Sequence, residues 1–470
     1  GNFCLGMTGE QSEDWRGALV QGGDERIEPK EGSAGRNRYN LNPLDPEGLF
    51  YRGSCTCGVL SEDTLKTMGQ FNERFIGGGD EDIWADEQRL RIQKIMDPSG
   101  RSEVFFGPSG TDLLYYPLLF ARSLSIRPIL NVLSCPEELG SGSRLAVAGK
   151  GFSLKTASGA SQEKGALLHP DLGGEVIELP ARTHEGHIRD RKSDIRSLIQ
   201  LHSDKTVIVH LVFGSKSGIK DDLDVIESHP NVIWTVDLCQ FRADPELIES
   251  LLSRGAMILI TGSKFYQAPP FCGALLVPKT WADPLNEVSK DSAAGLSEIF
   301  VKSDIPGRFK SFRDCLKWSK NPSSRMRWEC ALTEMEACHA ISRQDIDATI
   351  DEWNQVVCSA IEQHDQLDLI PDQAKTNASI VSFRVRDQHG FLGGQALKQL
   401  FDRLTMGNWE AELGYKRLFI GQPVCYGDKW FIRVALGSRS ARLASGRAEN
   451  WSTDVRMVNL MGDLAMNPKP

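Results

Sequence analysis

The sequence predicts an α/β protein, with a mostly parallel, seven-stranded sheet in a large domain and a smaller α+β domain at its carboxyl end. Three observations predict it. Between residues 103 and 277, short apolar runs alternate with segments of helical period, the pattern of strands joined by covering helices. The run Thr206 to Phe213 is apolar almost throughout, as expected of a strand covered on both faces. Two further runs end abruptly in chemistry: Val232-Ile233-Trp234-Thr235-Val236 in Asp237, and Ile258-Leu259-Ile260 in Thr261-Gly262-Ser263-Lys264.

Residues 1–40 are polar, rich in Gly, Glu and Asp, and without period, so they read as a flexible arm. Residues 41–60 contain Pro43 and Pro46 and read as an extended segment packed on a neighbour. Asp80 to Asp97 is a helix, with Ile83-Trp84, Leu90, Ile92 and Ile95-Met96 at helical spacing before Pro98-Ser99-Gly100 stops it. The strands follow at Glu103–Phe106, Pro128–Leu133, Val176–Leu179, Thr206–Phe213, 232–237 and 258–264, with Phe271–Val277 as an antiparallel return. Helices are expected at Leu113–Leu124, Asp194–Leu201, Asp222–Ser228 and Pro245–Arg254. Residues 281–325 are irregular and charged. A long helix then runs from Arg325 to about Arg343, and strands at Ser379–Val385 and Phe431–Leu436 mark the smaller domain. The domain reading is a 1–40 arm, a 41–320 large domain and a 321–470 small domain.

Composition excludes several classes. A net charge of −9 and a pI near 5.6 argue against nucleic acid as the main partner, because phosphate binding needs a basic surface. No apolar run approaches the roughly 18 residues of a membrane span. Eleven scattered cysteines, several inside apolar patterns, suit packing in a reducing, cytoplasmic compartment. Cys55-Thr56-Cys57 lacks the four-ligand spacing of structural zinc, and His184-Glu185-Gly186-His187 lacks a third ligand, so no metal is expected. Gly1-Asn2-Phe3-Cys4 would form part of a lipidation signal after an initiator methionine, but the usual Ser or Thr is missing and a truncated start is the favoured reading.

Four places carry chemistry. An ammonium at a buried strand end loses hydration, which favours the neutral, nucleophilic amine; Lys264 is so placed. Asp237, twenty-seven positions earlier, supplies a carboxylate able to hold a pyridinium nitrogen, with Gln240 beside it as a donor to a ring oxygen. Gly107-Pro108-Ser109-Gly110-Thr111 lies between a strand and a helix, where backbone N–H groups and two hydroxyls converge on an anion; a plain helix cap explains it equally well. Arg433, inside the apolar run Trp430–Leu436, needs an anionic partner, either a substrate carboxylate or an internal acid.

In order and spacing these elements resemble fold type I (aspartate aminotransferase-like) pyridoxal-phosphate enzymes, closest to the class V aminotransferase and cysteine desulfurase group. The likeness covers roughly residues 70–440. It implies pyridoxal 5'-phosphate as cofactor, Lys264 as the catalytic Schiff-base lysine, and Asp237 and Gln240 as partners of the ring. Ser109, Gly110, Thr111, Thr261 and Ser263 become phosphate ligands, and Arg433 a carboxylate clamp for an amino-acid substrate. It also implies a homodimer with shared sites. The sequence departs from the family twice. The loop 134–142 has no ring to stack on the cofactor, and 214–218 replaces the usual asparagine, leaving Ser215 as the nearest substrate contact. Transamination is the expected reaction, with elimination, replacement or carbon–sulfur lysis as the alternative.

Overall fold

The computed structural model describes residues 15–54, 58–72, 74, 79–240, 244–448 and 450–467. The Cys55-Thr56-Cys57 pair, residues 1–14 and the glycines at 77 and 78 lie outside them. Thirteen strands among the described residues form two sheets. β1 (Leu49–Arg52) joins the second sheet. β2 (Ser102–Gly107), β3 (Ile129–Ser134), β4 (Glu175–Leu179), β5 (Thr206–Val212), β6 (Val232–Asp237), β7 (Met257–Thr261) and β8 (Gly273–Pro278) form the first, in the order β2-β8-β7-β6-β5-β3-β4.

The expected seven-stranded sheet is therefore present. The pairs β3–β4, β3–β5, β5–β6 and β6–β7 are parallel, while β8 runs antiparallel between β7 and β2. The return strand sits inside the sheet, so β2 runs parallel to β7 and shares its carboxyl edge. β5 shows why the sheet is covered on both sides: Val207, Val209 and Leu211 enter one apolar core, and Ile208 and Val212 enter the other. His210 is also buried, bonded through Nε2 to Asn131 Oδ1 (2.9 Å) and through Nδ1 to Thr235 Oγ1 (3.0 Å). Burial pushes its pKa down to about 3, so it is a neutral cross-strand tie.

The Glu81–Met96 helix is capped by Asp80, whose side chain accepts from Asp82 N at 3.0 Å. It packs on the Pro322–His339 helix, where Glu329 accepts from Trp84 Nε1 (2.7 Å), Gln88 Nε2 (2.9 Å) and Arg91 Nη1 (2.8 Å). The second sheet holds β9 (Leu367–Leu369), β10 (Ile380–Asp387), β11 (Gly390–Phe391), β12 (Arg417–Tyr426) and β13 (Lys429–Ala435), with β1 parallel to β12. Among the described residues no helix is long and apolar enough to cross a membrane.

Three expectations need correction. Residues 15–40 are not a free arm: Trp15, Leu19, Ile27 and Tyr39 are buried, and Arg327 donates to the carbonyls of Ala18 (3.2 Å) and Gln21 (2.7 Å). The segment Asp222–Ser228 forms only a 3₁₀ turn at Leu223–Val225; Arg254 Nη2 donates to the carbonyls of Leu223 (2.6 Å), which a helix would have used, and Ile226 (3.0 Å). The long helix ends at His339, and Ser342 caps a second one, Arg343–Glu362, by accepting from Asp345 N at 3.1 Å.

Candidate active site

Asp237 ends β6, and Lys264 follows the end of β7 by three residues, so the parallel pairing of β6 and β7 brings both to one sheet edge. In open α/β sheets ligands bind beyond this edge. Gly273 is paired with both Gly107 and Thr261, which sets the 107–111 turn beside the lysine strand. The approach is close. A Cβ on Gly110 would lie 2.8 Å from Cys239 Sγ and 3.1 Å from Thr261 Cγ2, and one on Gly262 would lie 2.4 Å from Ala331 Cβ. Any larger residue at 110 or 262 would collide with these side chains, and one at 273 with the Ser109 backbone at 2.9 Å, so the glycines fix where Ser109, Thr261 and Lys264 stand.

One cavity, of about 50 Å3, is lined by Ser109, Gly110, Thr111, Ser215, Asp237, Gln240, Thr261, Ser263 and Lys264 together. A larger cavity, about 540 Å3, lies elsewhere, where Arg52 is paired with Asp454 and Arg439 with Asp63. Asp237 Oδ1 accepts from Cys239 N at 2.8 Å, which shapes the turn that carries Gln240. The Gln240 carboxamide is engaged by Ser54: its Oε1 accepts from the serine hydroxyl, and its Nε2 donates to the serine carbonyl at 3.2 Å. Thr261 Oγ1 donates to Cys239 O at 2.5 Å. The Lys264 amine makes no hydrogen bond or ion pair among the described residues, which suits a side chain kept for a reaction. These donors, the lone amine and the glycine-lined cup fit pyridoxal phosphate.

Arg433 is placed differently. It is buried in β13, and its Nη1 donates to the carbonyl of Lys216 at 3.1 Å, behind the 214–218 loop and not on the cavity wall with the others. Ser215 lies in that loop, its hydroxyl 3.5 Å from Ile219 O.

The structure adds residues that sequence reading missed: Arg26, Glu138, Leu139 and Lys216 line the same cavity. Leu139 stands in the loop where a stacking ring was sought, so the wall there is aliphatic. Burial pushes the Lys216 amine down to about 7, with neighbouring Arg433 and Lys264 adding to the effect and Glu138 opposing it. Glu138 itself accepts from Ser217 N at 2.8 Å and from the Ser217 hydroxyl. No sequence pattern marks Lys216, which lies in a Ser/Gly turn.

Asp112, at the start of the helix that follows the turn, receives the Ser109 hydroxyl at 2.6 Å. Burial pushes its carboxyl up to about 7; Ser109 and Arg26 oppose the rise and Asp24 adds to it. An unfolded aspartate ionises near 4. Between about pH 4 and pH 7 the folded protein thus keeps a proton that the unfolded chain has released, so this group's contribution to stability falls as pH rises through that window. Asp112→Asn keeps the acceptor for Ser109 and is expected to flatten the decline. Thermal melts of both proteins from pH 5 to pH 8 would show it; parallel curves would refute the assignment.

No family model and no curated protein matches the chain in sequence. Solved structures do match it in shape. An alanine–glyoxylate aminotransferase from Nostoc sp. superposes with a TM-score of 0.56 at 12% identity, over 90% of this chain and 97% of that one. A NifS-like protein from Rickettsia africae gives 0.55 at 10%, over 88% and 98%. A phosphoserine aminotransferase from Cytophaga hutchinsonii gives 0.54 at 12%, over 88% and 98%. The chain has the aspartate aminotransferase-like fold, fold type I.

Proposed function

We propose that the chain is a pyridoxal-phosphate-dependent aminotransferase acting on an amino acid. One observation carries the reading: Lys264 and Asp237 meet at one sheet edge beside a glycine-lined anion cup. Lys264 would hold the cofactor through its amine and would move a proton to and from the substrate Cα. The cofactor, when bound, supplies an electron-poor ring that stabilises negative charge at that carbon. Asp237 keeps the ring nitrogen protonated, and Gln240 faces the ring oxygen. Ser109, Gly110, Thr111, Thr261 and Ser263 receive the phosphate. The two thiols on the cavity wall speak against a cysteine nucleophile of the desulfurase kind. Burial pushes Cys239 well up and Cys272 to about 12, so neither is a thiolate at neutral pH. A homodimer of class V type and a cytoplasmic location belong to the same reading, supported by the fold, the acidic composition and the free cysteines.

The test is direct. Purified protein supplied with pyridoxal phosphate and reduced with borohydride should carry a pyridoxyl group on Lys264 in peptide maps. Single amino acids should then yield the matching ketoacid and pyridoxamine phosphate. Release of sulfide, pyruvate or ammonia without that half-reaction would instead mark a lyase, and colourless protein with no adduct would end the reading.

Ser215, on the cavity wall, is assigned to the substrate; Arg433 is assigned to its carboxylate, a role in which its fork would exchange the Lys216 carbonyl for the substrate. Arg433→Ala is expected to raise KM for carboxylated substrates by about tenfold or more, the worth of a lost charge-assisted pair, while bound cofactor changes less than twofold. Equal losses of both would contradict a clamp.

A further inference from the structure

The residues assigned to the phosphate are neutral, yet a phosphate ester carries close to two charges at neutral pH. Arg26 lines the same cavity, with a side chain only 13% exposed and Nη2 3.2 Å from Ser109 Oγ. Its guanidinium lies over the rings of Phe152 (5.3 Å) and Phe271 (4.9 Å), and Nε and Nη2 hold the Asp24 carboxylate at 2.6–3.0 Å. Nη1 carries no hydrogen bond among the described residues, so the fork still has donors to give.

The backbone that delivers Arg26 is fastened to the site itself. Arg327 is fully buried and binds the Ala18 and Gln21 carbonyls together with that of Phe271 (2.8 Å), joining the segment to the loop after Lys264. The chain at Gly23 passes so near Phe271 that a Cβ would lie 2.7 Å from its ring. On the far side, the Glu25 carboxylate accepts from Leu154 N at 3.2 Å.

We propose that residues 23–28 complete the anion cup within the same chain and that Arg26 is the cation paired with the cofactor's phosphate, with Asp24 positioning it. The assignment rests on the cofactor reading above. It makes the site selective for phosphorylated over dephosphorylated vitamer, because a neutral hydroxymethyl group gives Arg26 nothing to bind.

The experiment compares wild type with Arg26→Gln by equilibrium titration of the full chain with pyridoxal phosphate and with pyridoxal. R26Q should lose about ten- to a hundredfold in affinity for the phosphorylated compound, the range of one charged hydrogen-bonding partner, and less than twofold for pyridoxal. An unchanged ratio of the two affinities would overturn the assignment. Hydrogen–deuterium exchange of the 15–28 peptide with inorganic phosphate alone gives a second readout. Phosphate should slow exchange in wild type and not in R26Q, and no slowing in wild type would count against the proposal. This arm does not need Lys264 to react. If wild type takes up neither vitamer the cofactor reading falls, and phosphate protection still decides the role of Arg26.

Discussion

Lys264→Ala is expected to abolish turnover, by on the order of 10⁵-fold or more, and to remove the absorbance and the borohydride-stable adduct of covalently held cofactor. The size follows from the two tasks given to one amine: covalent attachment and movement of the Cα proton. Removing a group that acts as nucleophile and base together costs about as much as removing the whole machinery around it. The structure also predicts what survives. Gly110, Gly262 and Gly273 fix the cup through close contacts that do not involve the lysine side chain. Non-covalent uptake of pyridoxal phosphate should therefore persist, weakened, and the melting temperature should stay within a few degrees of wild type. Dialysis followed by phosphate analysis measures the retained cofactor. Retained turnover would contradict the role of Lys264, whereas loss of folding would show that Lys264 serves the structure.

What could be read in the sequence was what depends on local patterns. The strands around Thr206–Phe213 and Asp237 are legible because burial on both faces forces an apolar run, and Lys264 because a charge at such a run's end needs an explanation. The Asp222–Ser228 segment misled because its composition suits a helix, and the competing partner, Arg254, lies about thirty residues away in sequence. The split at Ser342 was legible in principle: Ser342-Arg343-Gln344-Asp345 has the spacing of a helix start, hidden by apolar residues on both sides. β12 was missed because Gly421 and Pro423 interrupt it, and its register shifts between Gly421 and Val424. Arg26 was hidden for a different reason. A polar segment without period looks unfolded unless one knows that a buried arginine from a distant helix, Arg327, will hold its carbonyls.

Asp237→Asn is expected to lower kcat by about 10²–10³-fold while leaving the cofactor attached to Lys264. The substitution isolates charge. Asp237 Oδ1 accepts from Cys239 N at 2.8 Å, and an amide oxygen can accept the same bond, so the turn that carries Gln240 toward Ser54 should keep its shape. What is lost is the negative charge that holds a proton on the ring nitrogen, and with it the ring's capacity to take up electrons from the substrate Cα. Electrostatic groups of this kind, fixed in advance at a partly buried site, typically contribute about 3–4 kcal/mol to the barrier. The loss should fall on kcat more than on KM, because the charge acts after the substrate amine has displaced Lys264. A reconstituted cofactor analogue bearing a permanently charged ring nitrogen should restore part of the lost rate in the variant and add little to wild type. If Asp237→Asn turned over within threefold of wild type, Asp237 would be only the residue that shapes the 237–240 turn, and the ring would have to draw its charge balance from elsewhere in the cavity.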